Sequence, residues 1–322
     1  MAKLGRSPLR LAAIGMLAVA AGFAQVAQNT ANRVAQPGAV NYVEGSVAID
    51  GRAITNSSIG SADVDQGQAL ATTQGKAEML LTPGIFLRLD DNSAAKMISN
   101  SLTNTQVQLQ NGRAMVEVDM IAPENRVTVV DNGYTTQLLK KGIYRFDANV
   151  PSVAVYDGKA AVLANDKRIE VGKGHELMLA SNAVQLKPQK FDTKQTGELY
   201  AWSKLRSEYM AQASVASAQT IYVNNPSWWY GTGWYWNPWF GSWAFVPGAG
   251  YFYGPFGFGF FAPPVVFAYS PVIHYGPYRG FAPPHRGFGY HGGFRVAPGP
   301  SFHAAAPMGG GVHFGRSMGG RR

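Results

Sequence analysis

The chain has 322 residues, of which 46% are hydrophobic and only 15% are charged, and its formal net charge is +9. This length allows one or two domains with a sizeable core. The chain contains no cysteine, which excludes disulfides, thiolate metal sites, cysteine nucleophiles and a lipid anchor on an N-terminal cysteine. Its 38 glycines and 19 prolines are concentrated toward the C-terminal end.

Residues 1–24 have the pattern of a secretory signal peptide. The basic residues Lys3, Arg6 and Arg10 precede an apolar stretch that ends in small residues before Gln25. The stretch is shorter than the about 20 residues that a membrane span needs, and small residues at its end are typical of a cleavage site. We expect a Sec-type precursor that is not a lipoprotein. The mature protein would be periplasmic, on the outer surface or secreted, and not an integral membrane protein.

Residues 25–38 are polar and are predicted to form a linker. From residue 39 to residue 190, apolar and polar side chains alternate with the period of two that is typical of β-strands. Short strands separated by glycine-containing turns, without a long helix between them, predict a mainly β domain. We expect either an antiparallel β-sandwich or an irregular β-coil.

Turn chemistry divides this β-domain into hairpins. Alternating residues flank Pro83-Gly84, a dipeptide suited to a tight turn. In two similar units, apolar and polar residues alternate on either side of Asn111-Gly112 and of Asp157-Gly158. This pattern predicts two further hairpins. Because these units are irregularly spaced, they indicate a recurring hairpin and not a solenoid repeat.

Residues 191–218 have helical periodicity. We predict an amphipathic helix that closes the β-domain with one apolar stripe. The residues of this stripe are Leu199, Trp202, Leu205 and Tyr209.

Three motifs in the β-domain are similar to those of a known family. They are G-x-x-L-x-T at Gly67–Thr72, G-K-A-E-x-x-L at Gly75–Leu81 and P-G-x-x-L-R-L-x-x-N-S at Pro83–Ser93. Over residues 39–165 the chain resembles the FecR-type domain of periplasmic ferric-citrate signalling regulators. The resemblance implies a β-domain outside the cytoplasm that relays a signal to a membrane partner. The overall layout is also similar to that of exported bacterial proteins with an aromatic, glycine-rich tail.

The C-terminal region, residues 219–322, differs in composition from the rest of the chain. From Asn225 onward it holds 27 of the 39 aromatic residues, 21 of the 38 glycines and 13 of the 19 prolines, and its charges are all arginine. Proline and glycine at this frequency oppose a regular helix, so we predict an irregular or disordered, low-complexity tail. Arginine and aromatic rings would make it adhesive. The predicted interaction surface consists of Trp228, Trp229, Trp234, Trp236, Trp239 and Trp243.

Glu117 and Asp119 are the carboxylate pair that suggests catalysis. Alternate residues of a strand lie on one face, about 6.6 Å apart, and paired carboxylates at such a distance can hydrolyse glycosides. The same pattern is also that of a solvated strand face. The glycine-rich motifs of the tail lack a flanking strand and helix, and the histidines lack the spacing of zinc ligands. We therefore predict no enzyme, and no catalytic, cofactor-binding or metal-binding residues.

These features predict a non-enzymatic, exported binding or scaffold protein of the cell envelope. Its expected partner is an envelope protein or a polysaccharide, with self-association through the tail as a further expectation, and no nucleic acid. The alternative is an extracytoplasmic signalling regulator of the FecR kind that acts through a membrane partner.

Overall fold

The computed structural model of the chain describes residues 35–164, 167–179, 186–224 and 231–269. The predicted signal peptide and most of the predicted linker lie outside these ranges. The strands of the β-domain are β1 (Val40–Ile49), β2 (Arg52–Ile54), β3 (Ala69–Thr82), β4 (Ile85–Leu89), β5 (Ala94–Ser101), β6 (Asn104–Asn111), β7 (Arg113–Val118), β8 (Arg126–Asp131), β9 (Tyr134–Leu138), β10 (Gly142–Asp147), β11 (Ser152–Asp157), β12 (Lys159–Ala164), β13 (Lys167–Gly172), β14 (His175–Met178) and β15 (Gln189–Lys190). After them come α1 (Glu198–Asn224), β16 (Gly233–Asn237), β17 (Ser242–Val246), β18 (Tyr251–Tyr253), β19 (Gly259–Phe261) and α2 (Pro263–Tyr269).

The strands β1 to β15 join in one large sheet that curls around a common core without closing. Their hydrogen-bonded order is β13-β12-β9-β8-β6-β5-β3-β4-β7-β10-β11-β14-β15, and β1 pairs with β3 and β2 outside this path. The long strand β3 joins the two halves of the sheet, because its first residues pair with β5 and its last residues pair with β4. Alternate side chains of both halves point into the core, among them Leu70, Leu87, Val116, Val129 and Phe146.

The prediction of a mainly β fold followed by one long helix is confirmed. Among the described strands, β6 and β8 form the one parallel pair, and the other pairs are antiparallel. This parallel pair arises because β7 lies between β6 and β8 in the chain but belongs to the other half of the sheet. Parallel neighbours need such a crossover, whereas a tight turn joins antiparallel ones.

Of the three predicted hairpins, one is correct and two are wrong. β3 and β4 pair across Pro83-Gly84 as predicted. In the described sheet, however, β6 does not pair with β7, nor β11 with β12, and at Gly112 and Gly158 the chain crosses from one half to the other. A two-residue type I′ turn needs positive φ at both central residues. Here the glycines have φ of 74° and 95°, but Asn111 and Asp157 do not have positive φ.

Helix α1 presents a different face to the sheet from the predicted one. Of the predicted stripe, Leu199 is buried, but Leu205 and Tyr209 are 48% and 47% exposed. The buried face instead carries mostly small or polar side chains, because polar and charged groups of the sheet lie below it. Its residues include Ser203, Arg206, Ser207, Met210, Ala211 and Ser214. The helix also begins later than residue 191 and continues past residue 218, to Asn224.

Residues 233–269, predicted to be irregular, form two hairpins and a short helix. β16 pairs with β17, and β18 pairs with β19. Trp234 and Phe245 pack with Phe86 on the sheet face that points away from the main core. Because this face also carries apolar residues on the central strands, among them Leu80 and Met115, aromatic residues at alternate positions gain free energy by covering it. The hairpins and α1 therefore form an outer layer with a second core.

Replacing Gly112 by alanine tests the crossing between β6 and β7. A Cβ atom at this position would overlap Ser93 Oγ, on a backbone with φ of 74°. We expect Gly112→Ala to lower the free energy of unfolding by roughly 2–4 kcal/mol, measured by urea denaturation of the full-length chain. As a matched control, Gly172→Ala in β13 would meet no atom within 4 Å and should change it by less than about 1 kcal/mol. Equal effects of the two variants would contradict this account of the crossing.

Candidate functional site

The carboxylate pair that suggested catalysis lies buried between the sheet and the outer layer. Glu117 is 0% exposed and Asp119 is 2% exposed, so neither stands on a solvated strand face. Glu117 Oε2 accepts a hydrogen bond from Arg88 Nη1 at 2.6 Å, and Oε1 accepts one from Ser207 Oγ at 2.7 Å. Both oxygens of Glu117 are thus engaged by the protein itself. A carboxylate enclosed in this way is placed to hold the structure together and not to meet a substrate.

Glu117 belongs to a charged cluster that consists of Glu78, Arg88, Glu117 and Arg206. Glu78, Arg88 and Glu117 come from the neighbouring strands β3, β4 and β7, on the face covered by α1. Arg88 Nε donates to Glu78 Oε2 at 2.8 Å, and Arg206 Nη2 of α1 donates to Glu78 Oε1 at 3.0 Å. The three strand residues are 0% exposed and Arg206 is 8% exposed. The charged cluster therefore joins the helix to the sheet away from solvent.

The charges of this cluster balance one another. Burial alone would raise the pKa of Glu78, but the positive charges of Arg206 and Arg88 outweigh it and lower that pKa to about 2. Two carboxylates then face two guanidinium groups. For Asp119 the result is opposite, because burial and the neighbouring Glu117 raise its pKa well above the usual value. Burial and the neighbouring Glu117 therefore both disfavour the charged form of Asp119.

Asn41 extends the charged cluster to the aromatic hairpins. Its Nδ2 donates to Glu78 Oε1 at 2.9 Å, and its Oδ1 accepts from the backbone N–H of Trp243 in β17 at 2.7 Å. Asn41 itself is 0% exposed. One buried amide thus connects the ion pairs of the sheet with the first hairpin of the outer layer.

Two further polar contacts hold the first turns of α1. Lys76 Nζ, on β3, donates to Glu198 Oε1 at 2.8 Å. Trp202 Nε1 donates to Glu44 Oε2, on β1, at 2.9 Å. Together with Arg206, these contacts recur every four residues along the helix, so one side of α1 is held by hydrogen bonds to the sheet.

The described tryptophans of the predicted interaction surface differ in their exposure. Trp228 and Trp229 lie outside the described residues. Trp239 is 91% exposed. The remaining three pack in or against the second core, and they are Trp234, Trp236 and Trp243. Within the described ranges, Trp239 is therefore the one member of the predicted tryptophan surface whose indole is mostly exposed.

Trp239 stands on the loop between β16 and β17, which we name the aromatic turn (residues 237–241). Asn237 Oδ1 accepts hydrogen bonds from the backbone N–H groups of Trp239 and Phe240, at 3.0 and 3.3 Å. Asn237 Nδ2 donates to Ser217 Oγ of α1 at 3.0 Å. Because Asn237 is buried, the turn is fixed to the helix on its inner side while Trp239 stays exposed on its outer side.

The residues that resemble the FecR-type motifs have structural roles in this fold. Leu70 lies in the main core and Arg88 in the charged cluster. The backbone N–H of Ser93 donates to Thr72 Oγ1 at 3.0 Å, and Ser93 Oγ accepts from the backbone N–H of Arg113 at 2.9 Å. All four motif residues are buried. These motif residues therefore stabilise the sheet and do not form a binding surface.

The described ranges contain neither a metal site nor a membrane-spanning helix. Within them no group of three or more acidic or histidine side chains could hold a metal ion. The five histidines of the tail lie outside these ranges. Neither α1 nor α2 combines the length and the apolar character that a membrane-spanning helix requires.

No protein-family model matches the chain, and no curated protein matches it. Two crystal structures of a "putative anti-sigma factor" from Parabacteroides distasonis match part of it, each with a TM-score of 0.35 and with 13% and 12% sequence identity. The match covers 42% of this chain and 64% of theirs, which is less than two thirds of those proteins. At this TM-score the match assigns no function. The FecR-type resemblance is therefore carried by its sequence motifs alone.

The charged cluster was not predicted from the sequence, although the sequence contains one signal of it. The segment that forms β4, I-F-L-R-L, is apolar on both faces apart from Arg88. A strand of this kind is buried on both sides, and a charge within it needs a buried partner. That signal predicts a covering layer over β4, but it does not say which carboxylates or which helix residue would complete the cluster.

Removing the charge of Arg206 tests whether the charged cluster stabilises the fold. Methionine keeps a long, flexible apolar side chain at this position but leaves Glu78 with one guanidinium partner fewer. We expect Arg206→Met to lower the free energy of unfolding by about 3 kcal/mol at pH 7, measured by urea denaturation.

The matched control for this variant is Lys159→Met. Lys159 and Glu170 form an ion pair of 2.7 Å, but their side chains are 38% and 52% exposed. An exposed pair contributes less than about 1 kcal/mol. A loss in Arg206→Met no greater than that in the control would show that the buried ion pairs do not stabilise the protein.

Proposed function

We propose that the protein is an exported, non-enzymatic binding protein of the cell envelope and that the aromatic turn is its contact with envelope material. The observation that carries this proposal is Trp239, an indole 91% exposed on a turn that Asn237 fixes to α1. Tryptophan is among the residues that contribute most to binding interfaces. A rigid turn lowers the conformational entropy that binding costs. Export rests on the signal-peptide pattern of residues 1–24.

Polysaccharide is the partner class that best suits this turn. The flat face of an indole can cover the apolar face of a sugar ring, and Phe240 beside it is 40% exposed. A polymer with many equivalent units also lets weak individual contacts add through multivalency. An envelope protein, or a second copy of the chain, is the other partner class to be distinguished by experiment.

The signalling regulator remains the alternative proposal, and it rests on the motifs between Gly67 and Ser93. Because Leu70, Thr72, Arg88 and Ser93 are buried in the sheet, they offer a membrane partner no contact surface. The exposed aromatic turn therefore favours the binding protein over the regulator.

Trp239→Ala tests the proposed function. The full-length chain is mixed with an isolated envelope fraction and, separately, with purified envelope polysaccharide, and the bound share is measured by co-sedimentation. We expect Trp239→Ala to weaken binding at least about tenfold, because a central aromatic contact contributes about 2 kcal/mol or more. Its free energy of unfolding should stay unchanged, since the indole lies outside the core.

The matched control is Val150→Ala, which shortens another apolar side chain, 56% exposed, between β10 and β11. This variant should bind as the wild-type protein does. If Trp239→Ala and Val150→Ala bind envelope material equally well, the aromatic turn is not the binding surface. Binding to the envelope fraction but not to polysaccharide would assign the partner to a protein.

A further inference from the structure

A cleft with a volume of about 390 Å³ opens beside β2 and the segment that follows it. This volume lies within the range of small-molecule sites. Ile49 and Ile54 are among its lining residues, but they are only 2% and 7% exposed because their side chains belong to the main core. The remainder is mostly polar, and its polar side chains are Arg52, Ser58, Ser61, Asp63, Asp65 and Gln68.

Several of these polar groups are held in place while keeping capacity for a ligand. Gln68 Oε1 accepts a hydrogen bond from the backbone N–H of Asp65 at 2.9 Å, which orients the side chain and leaves its NH₂ group as a donor. Ser61 Oγ donates to the backbone oxygen of Ser58 at 3.0 Å, so its own oxygen can still accept. Within the described ranges, the guanidinium of Arg52 and the carboxylate of Asp65 have no side-chain partner.

The mixture of these groups indicates the chemistry of the ligand. Donors from Arg52 and Gln68 stand with acceptors from Asp65 and Ser61, a set that matches hydroxyl groups because each hydroxyl both donates and accepts. The lining contains one guanidinium, that of Arg52, and the two carboxylates of Asp63 and Asp65. The cleft therefore carries no excess positive charge, which disfavours an anionic ligand.

Trp236 connects the segment that lines the cleft to the strand that leads into the aromatic turn. Gly60 lies between two cleft residues, Ser58 and Ser61, and a Cβ atom on it would stand 2.8 Å from the ring of Trp236. The Trp236 ring thus lies directly on the segment that lines the cleft. Trp236 belongs to β16, which leads into the aromatic turn.

We infer that this cleft binds one unit of a neutral, hydroxyl-rich saccharide. The inference deepens the proposed function by naming the ligand class, and it assigns residues that the aromatic turn does not include. Arg52 and Gln68 donate to ring hydroxyls, and Asp65 accepts from one.

The test measures binding of three neutral hexasaccharides, cellohexaose, maltohexaose and laminarihexaose, to the full-length chain by saturation-transfer NMR and calorimetry. We expect at least one of them to bind with a Kd below about 1 mM. Arg52→Ala and Asp65→Asn should each weaken that binding about tenfold or more. Both residues are exposed, so neither variant should lower the stability of the fold.

Matched controls are Glu124, between β7 and β8, and Arg126, the first residue of β8, both of which are also exposed. Glu124→Gln and Arg126→Ala remove the same charges as the cleft variants and should leave binding within about twofold of the wild type. The inference is overturned if none of the three hexasaccharides binds at about 10 mM. It is also overturned if the cleft variants bind as well as their controls.

These outcomes are distinguishable from those for the proposed function. If Trp239→Ala weakens envelope binding while Arg52→Ala and Asp65→Asn bind hexasaccharide like the wild type, the cleft is refuted and the aromatic turn stands. If the cleft variants lose hexasaccharide binding while Trp239→Ala keeps full envelope binding, the cleft stands and the turn is refuted.

Discussion

The ion pair between Arg206 and Glu78, completed by Arg88 and Glu117, is the interaction on which the outer layer depends. Removing four charges from water has a large free-energy cost, and their mutual attraction offsets it only while every partner is present. The cluster forms only when α1 lies in one position on the sheet, because Arg206 and Ser207 must reach Glu78 and Glu117 together. Charge complementarity thus specifies a packing arrangement that apolar contacts alone leave less defined.

Two side-chain amides connect this cluster to the surface of the protein. Asn41 connects Glu78 to the backbone of Trp243 and so sets the position of β17. Asn237 then connects α1 to the loop that carries Trp239. The exposed indole is therefore held by contacts that begin in the centre of the protein. Rigid presentation of an exposed aromatic side chain is the property that the proposed binding function needs.

Local patterns in the sequence predicted much of this fold, and tertiary contacts determined the rest. Alternation identified the strands, and Pro83-Gly84 identified a hairpin, because both signals lie within a few residues. Asn111-Gly112 and Asn132-Gly133 have the same chemistry, yet the second forms a type I′ turn between β8 and β9 and the first a crossing. The helix face was mispredicted because the sheet beneath it offers charges. Composition identified the tryptophans, but packing in the second core decides that Trp243 is buried and Trp239 exposed.

Hydrogen–deuterium exchange on Glu78→Gln tests most directly whether the charged cluster holds the outer layer. The substitution keeps the size of the side chain and removes the charge that Arg88 and Arg206 share. We predict that backbone amides of α1 and of β17 exchange at least about tenfold faster than in the wild-type protein, while those of β12 and β13, remote from the cluster, change least. Unchanged protection of α1 and β17 in Glu78→Gln would contradict the account.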